Sequence, residues 1–164
     1  MPKITVETFI AAPPQTVFDL ARDIGLHCQT LRHTGERAIA GTTSGRIGLD
    51  EWVTFEGKHL GVRQRLTVKI TEFEAPHRFT DEMTEGAFKS LKHLHEFEAA
   101  PNGTLMRDTL EWTAPLGPLG SIANLLLLGR HLKNILTRRN ARLKEIAEGK
   151  APGQSRKPAR RGAV

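Results

Sequence analysis

Residues 119–149, LGSIANLLLLGRHLKNILTRRNARLKEIAEG, decide the architecture, because only here do apolar residues keep a helical period over a long stretch. Leu119, Ile122, Leu126, Leu132, Ile135 or Leu136, Leu143 and Ile146 share one face of a helix, and Gly149 stands where a helix end favours glycine. The spacing predicts one helix of about thirty residues, roughly 45 Å long at the usual rise per residue. The run Leu125-Leu126-Leu127-Leu128 widens the apolar stripe and predicts burial on more than one side. It does not read as a membrane span, which needs about 20 apolar residues, since Arg130 and Lys133 interrupt it.

The segment from Arg37 to Thr113 reads as strands. Val62, Leu66, Val68 and Ile70 alternate with Arg63, Arg65, Thr67 and Lys69, the period of a strand with one face on a core and one in water. Further strands are expected at Arg37–Gly41, Leu49–Glu56, Phe79–Glu85, Phe88–Ala99 and Thr104–Thr113. The break at Glu74-Ala75-Pro76-His77-Arg78 and the pair Asn102-Gly103 are turn signals, since Asn-Gly accepts the positive φ of a tight hairpin. Strands joined this closely pair antiparallel.

Upstream, KITVETFI (residues 3–10) alternates like a first strand. The following AAPPQTVFDLARD opens a short helix at Pro13-Pro14, with Val17, Leu20, Ala21 and Ile24 at helical spacing, and a second helical turn is expected over Ile24–Leu31. The class is therefore α+β: one strand, two short helices, six antiparallel strands, one long C-terminal helix. A single amphipathic helix must cover the whole sheet face, so about seven strands are expected to curve around it. Such a sheet and one helix leave a cavity between them near the short helices.

Composition narrows the classes. Cys28 is the only cysteine of 164 residues, which excludes a disulfide scaffold and a multi-cysteine zinc site and fits a reducing compartment such as the cytoplasm. Hydrophobic residues make up 38% and charged residues 26%, as in a globular domain and not a disordered chain. MPKITVETFIAAPP holds no apolar run of signal-peptide length, so export is not expected. Residues 149–164 hold five Lys or Arg and no acid, so the net charge of +6 falls to +1 over residues 1–148. We expect a ligand-binding domain over 1–148 and a disordered basic tail over 149–164. The tail has no aromatic stacking residue and no recognition motif beside it, which argues against nucleic acid and for a solubilising segment. With Arg138, Arg139, Arg142 and Lys144 just before it, transient contact with anionic membrane is the partner it suits.

FIAAPPQTVFDLARD, then FEAPHRFTDEMTEGAFKSLKHLHEF, NGTLMRDTLEWTAPLGPLG and the closing helix together resemble the START-like, SRPBCC superfamily, in its polyketide cyclase/dehydrase and lipid-transport branch. The resemblance spans residues 3 to about 148 and implies the helix-grip fold, with a deep apolar cavity for lipids, sterols, quinones or polyketides. Among such relatives some are cyclases and some carriers. The pattern Gly86, Phe88, His93, His95, Phe97 is shared with members that have no assigned reaction. Leu91 stands where relatives often carry an aromatic, which alters cavity shape, and Ala87 where proline is common.

On the strand Phe88–Ala99, Leu91, His93, His95 and Phe97 share one parity, so both histidines face the same side as two apolar residues. With a turn at Gly86-Ala87, Asp81 falls near His93; with the Asn102-Gly103 hairpin, Asp108 or Leu110 falls opposite His95. A one-residue slip would carry the carboxylates to the outer face. In the expected register the cavity wall comprises Phe79, Met83, Leu91, His93, His95, Phe97, Met106, Leu110 and Trp112, with Leu126 from the helix. Three readings compete for the His-Asp pairs: groups that satisfy one another, polar anchors for a ligand, or acid-base groups with Asp81 or Asp108 orienting the imidazoles. His93 and His95 alone lack a third metal ligand, so neither a metal nor a cofactor is expected.

Trp52 and Phe55 have opposite parity, and Trp52 is expected as core filler. Arg63 and Arg65 belong to a solvated face, and His131 to the surface beside Arg130 and Lys133. The glycines at 41, 45 and 48 lack the strand-loop-helix context of a phosphate-binding loop, and no serine sits in a nucleophile elbow. The leading function is an intracellular binding or carrier protein for a small hydrophobic or amphipathic ligand. The alternative is a cyclase/dehydratase-type enzyme using His93, His95, Asp81 and Asp108.

Overall fold

The computed structural model describes residues 1–114 and 122–149. In chain order they form β1 (Lys3–Ile10), α1 (Pro14–Ala21), α2 (Ile24–Thr30), a 3-10 turn (Arg32–Thr34), β2 (Arg37–Gly41), β3 (Trp52–His59), β4 (Val62–Glu74), β5 (Arg78–Glu85), β6 (Ser90–Ala100), β7 (Gly103–Thr113) and α3 (Ile122–Ala147). Leu119 and the expected basic tail beyond residue 149 lie outside the described residues.

The seven strands make one antiparallel sheet in the order β1-β7-β6-β5-β4-β3-β2. The long β4 to β7 hairpins form its middle, and bulges in β2 and β4 bend it. It curves around α3 as a helix-grip fold. Arg22 closes α1 and Asp23 starts α2, its side chain accepting from the Leu26 amide at 2.8 Å. Strand β3 begins three residues later than the alternation suggested. Asp50 adopts a φ of 65°, and the Glu51 amide bonds back to Gly48, so Leu49 belongs to a turn.

Parity sorts the side chains. In β3, Val53 and Phe55 are buried, whereas Trp52 points outward and is 46% exposed, not core filler. Its neighbour Gly41 has a φ of 74°, and a Cβ there would meet the Trp52 carbonyl oxygen at 2.3 Å. On the outer face Arg37, Arg63 and Arg65 converge on Glu56.

The helix turns its faces in a way the leucine run did not announce. Leu136, Arg139, Asn140 and Leu143 are buried, but Leu126 and Leu127 are 70% and 58% exposed. At about 100° per residue, Leu126 lies roughly 200° around the helix from Leu128. Only Leu128 of these three packs toward the sheet, joining Leu132 against Leu91, Leu110, Trp112 and Leu136. Among the described residues no helix is long and apolar enough to cross a membrane.

The larger core centres on Phe18 of α1, whose fully buried ring meets Phe73, Phe79 and Phe97 edge-on at 5.3, 5.6 and 5.4 Å. This cluster closes one end of the space under the sheet. Phe18→Ala is expected to cost about 3–5 kcal/mol, read as a lower urea midpoint at unchanged slope. Phe9→Ala, at a ring 43% exposed, should cost much less.

Candidate functional site

Alternation along β6 puts Leu91, His93, His95 and Phe97 on the concave face, each buried. Hairpin register then supplies the carboxylates. Asp81 of β5 stands opposite His93, and Asp108 of β7 opposite His95, with Leu110 opposite His93. The imidazole rings lie 3.8 Å apart, and Phe79 stacks on His95 at 4.2 Å.

The contacts also run diagonally. His93 Nε2 is 3.1 Å from Asp108 Oδ1, and His95 Nε2 is 3.0 Å from Asp81 Oδ2. His95 Nδ1 approaches Asp108 Oδ1 at 2.6 Å, too poorly aligned for a well-formed hydrogen bond, so that contact is an ion pair. The other Asp108 oxygen accepts from Asn140 Nδ2 at 2.6 Å, and Arg139 lies 3.7 Å from Oδ1 while donating to the Ala21 carbonyl. Arg139 is thus no membrane-facing cation. Its neighbours Arg142 and Lys144 pair with Glu145 and Glu148.

Burial shapes the ionisation of this network. It would raise both carboxyls, but the adjoining imidazoles hold Asp81 below its ordinary value and Asp108 well below it. Burial and the neighbouring His95 push His93 down. Burial acts the same way on His95, but Asp108 and Asp81 outweigh it and raise this imidazole above its ordinary value. Of the two rings, His95 is therefore the one that favours a second proton.

Asp81, His93 and His95 open on a cavity of about 200 Å³ between sheet and helix. Its walls are largely apolar, with Phe79, Leu91 and Leu110 from the sheet and Leu132, Ile135 and Leu136 from α3. Asp108 sits behind the histidines with no exposed surface. Other residues expected in the wall are placed elsewhere. Phe97 and Met106 pack in the Phe18 cluster, and Trp112 packs with Leu91, Leu110 and Leu136, with Met83 half-buried against that group. Leu126 points to solvent from the far side of α3.

A second polar group borders the cavity, and no sequence pattern joins its members. Glu36, just before β2, lies 3.3 Å from His59 of β3 and 3.6 Å from His27 of α2. His131 of α3 brings its ring to 5.9 Å from His59, inside the cavity wall and not on the surface. His27 stacks on Phe55 at 4.3 Å. These residues come from α2, β3, α3 and the connection before β2, so only the packing of those elements unites them.

Solved structures share this architecture. TTHA0849 from Thermus thermophilus is 20% identical, with 87% of this chain and 97% of that one covered at a TM-score of 0.69. CV1439 from Chromobacterium violaceum is 10% identical over 89% and 96%, with a TM-score of 0.68. A START superfamily protein from Mycobacterium smegmatis is 14% identical over 88% and 98%, with a TM-score of 0.66. No curated protein matches by sequence. Residues 1–148 match the family described as polyketide cyclase / dehydrase and lipid transport, and over that span the chain belongs to it.

Proposed function

We propose that the chain is an intracellular binding protein that encloses a small hydrophobic or amphipathic molecule between the sheet and α3, its polar end at His93, His95 and Asp81. The observation that carries this reading is an apolar cavity of about 200 Å³ with two buried imidazoles and a carboxylate converging on one wall. Apolar pockets use a few such groups to orient what they hold. An engineered apolar cavity of about 150 Å³ takes one benzene, so this volume suits a molecule of one or two rings. Membership of a family that includes lipid transport supports the same class of ligand.

An acid-base enzyme is the second reading, favoured by the carboxylate beside each imidazole at the cavity wall. The Glu36 group matters to either. Burial alone would raise Glu36, but the His27 and His59 imidazoles hold it down at about 2 against an ordinary 4.5. A value lower in the folded chain means stabilisation that is complete above the ordinary value and lost as pH falls toward the folded one.

Three outcomes test these statements. Organic extraction of the purified chain followed by mass spectrometry should release a small hydrophobic compound, and the chain should take up anilinonaphthalene sulfonate. Leu132→Trp, which fills the cavity, should weaken that uptake about tenfold or more; equal uptake by both proteins, with nothing extracted, would sink the binding reading. Under the enzyme reading a folded His93→Ala/His95→Ala variant keeps ligand affinity within a few-fold and loses turnover, whereas under the binding reading it loses the polar anchor and holds the ligand more weakly. Glu36→Gln should remove on the order of 3 kcal/mol of stability at about pH 6, a difference from wild type that shrinks as pH falls from about 4.5 toward 2 in urea unfolding.

A further inference from the structure

Asp108 draws one ring nitrogen of each histidine toward itself, His93 Nε2 at 3.1 Å and His95 Nδ1 at 2.6 Å from Oδ1. Those nitrogens carry protons, because a bare imidazole lone pair so close to a carboxylate oxygen would be repelled. With both rings neutral, the lone pairs lie on His93 Nδ1 and His95 Nε2, whereas a doubly protonated His95 donates from Nε2 to Asp81. Both nitrogens approach one further oxygen. Asp81 Oδ2 lies 3.9 Å from the first and 3.0 Å from the second, and one ligand atom from each of the three residues falls within 4.8 Å of the others. In the neutral state three acceptors converge on a buried wall, and a positive charge among them would satisfy all three. With neutral imidazoles, Asp81 and Asp108 against Arg139 leave a formal charge of −1. A second proton on His95 meets this need in one state, and a dication meets it in another.

We propose that Asp81 Oδ2, His93 Nδ1 and His95 Nε2 form a site for a divalent first-row transition metal ion whose remaining coordination positions face the apolar cavity. Two ligands of a tetrahedral zinc ion at the usual bond lengths stand about 3.3 Å apart, and the observed separations of 3.0 and 3.9 Å bracket that value. Two imidazoles with one carboxylate suit zinc or ferrous iron and disfavour calcium and magnesium, which take oxygen ligands. The outer support is also present. Asp108 fixes the tautomer and direction of both rings, Asn140 and Arg139 hold Asp108, and Phe79 stacks on His95. The third ligand that the two β6 histidines lack by themselves is Asp81 of β5, which the hairpin register sets opposite His93. This site goes beyond the binding reading and stands without any hydrophobic ligand, so either can fail alone.

The full chain, freed of any histidine tag and stripped with a chelator, is titrated with Zn²⁺ against a chromophoric competitor. Roughly one ion per chain with a Kd of about 1 µM or tighter is expected, and Asp81→Asn should weaken it about 10-fold or more. X-ray absorption at the zinc edge of the wild-type complex should show two imidazoles and oxygen ligands, a reading that stands if Asp81→Asn fails to fold. Absence of binding below about 100 µM, an absorption spectrum with one imidazole or none, or affinity unchanged in a folded Asp81→Asn would overturn the proposal. So would loss of binding in His27→Gln/His59→Gln, which would move the ion to the Glu36 group.

Discussion

Asp108 is a carboxylate with no exposed surface, and the site is organised by what it takes to keep that charge inside the protein. Desolvating a carboxylate costs several kcal/mol unless partners replace the lost water. Four side chains do so here: His93 and His95 from β6, Asn140 and Arg139 from α3. One charged group thereby fixes three elements relative to one another. It sets β7 against β6 and turns the face of α3 that carries Arg139 and Asn140 onto the sheet. Removing any one partner leaves buried charge uncompensated, so these contacts specify the docking of the helix whatever their net contribution to stability.

The cavity follows from that docking. Phe18 and its ring partners close one end and the Trp112 group packs beside the histidines, while between them sheet and helix part. The resulting space has apolar walls and two polar regions, the His93-His95-Asp81 wall and the Glu36 group. The first is backed by a rigid network and the second by an α2 to β3 contact. Whatever the cavity holds meets apolar carbon along most of its surface and hydrogen-bonding groups at these two places.

Much of this was legible in the chain itself. Alternation in KITVETFI and in the Val62–Ile70 stretch gave strands, because a period of two survives any register. The parity of Leu91, His93, His95 and Phe97 put the histidines on the concave face, and the Asn102-Gly103 hairpin left Asp108 or Leu110 opposite His95, which the observed register settles as Asp108. Leu126 and Trp52 misled for a common reason. Helical spacing puts Leu126 on the apolar face although the leucine run allows several phases, and Trp52 reads as core filler despite a parity opposite to the buried Phe55, so residue type suggested burial where geometry gave exposure. Phe97, Met106 and Trp112 did face inward, yet neighbours from α1 and α3 consumed their surfaces before the cavity could.

The sequence by itself determined the elements, the antiparallel order of the hairpins and the identity of the polar residues facing inward, because each depends on local period and short connections. The tertiary structure decided which of those residues share a site. Glu36, His27, His59 and His131 are far apart in the chain, and Arg139 and Asn140 read as one more polar turn of a basic helix. Their meeting depends on how α2 and α3 pack over the sheet, and that packing is set by shape and by the buried charge of Asp108, neither of which any local pattern encodes.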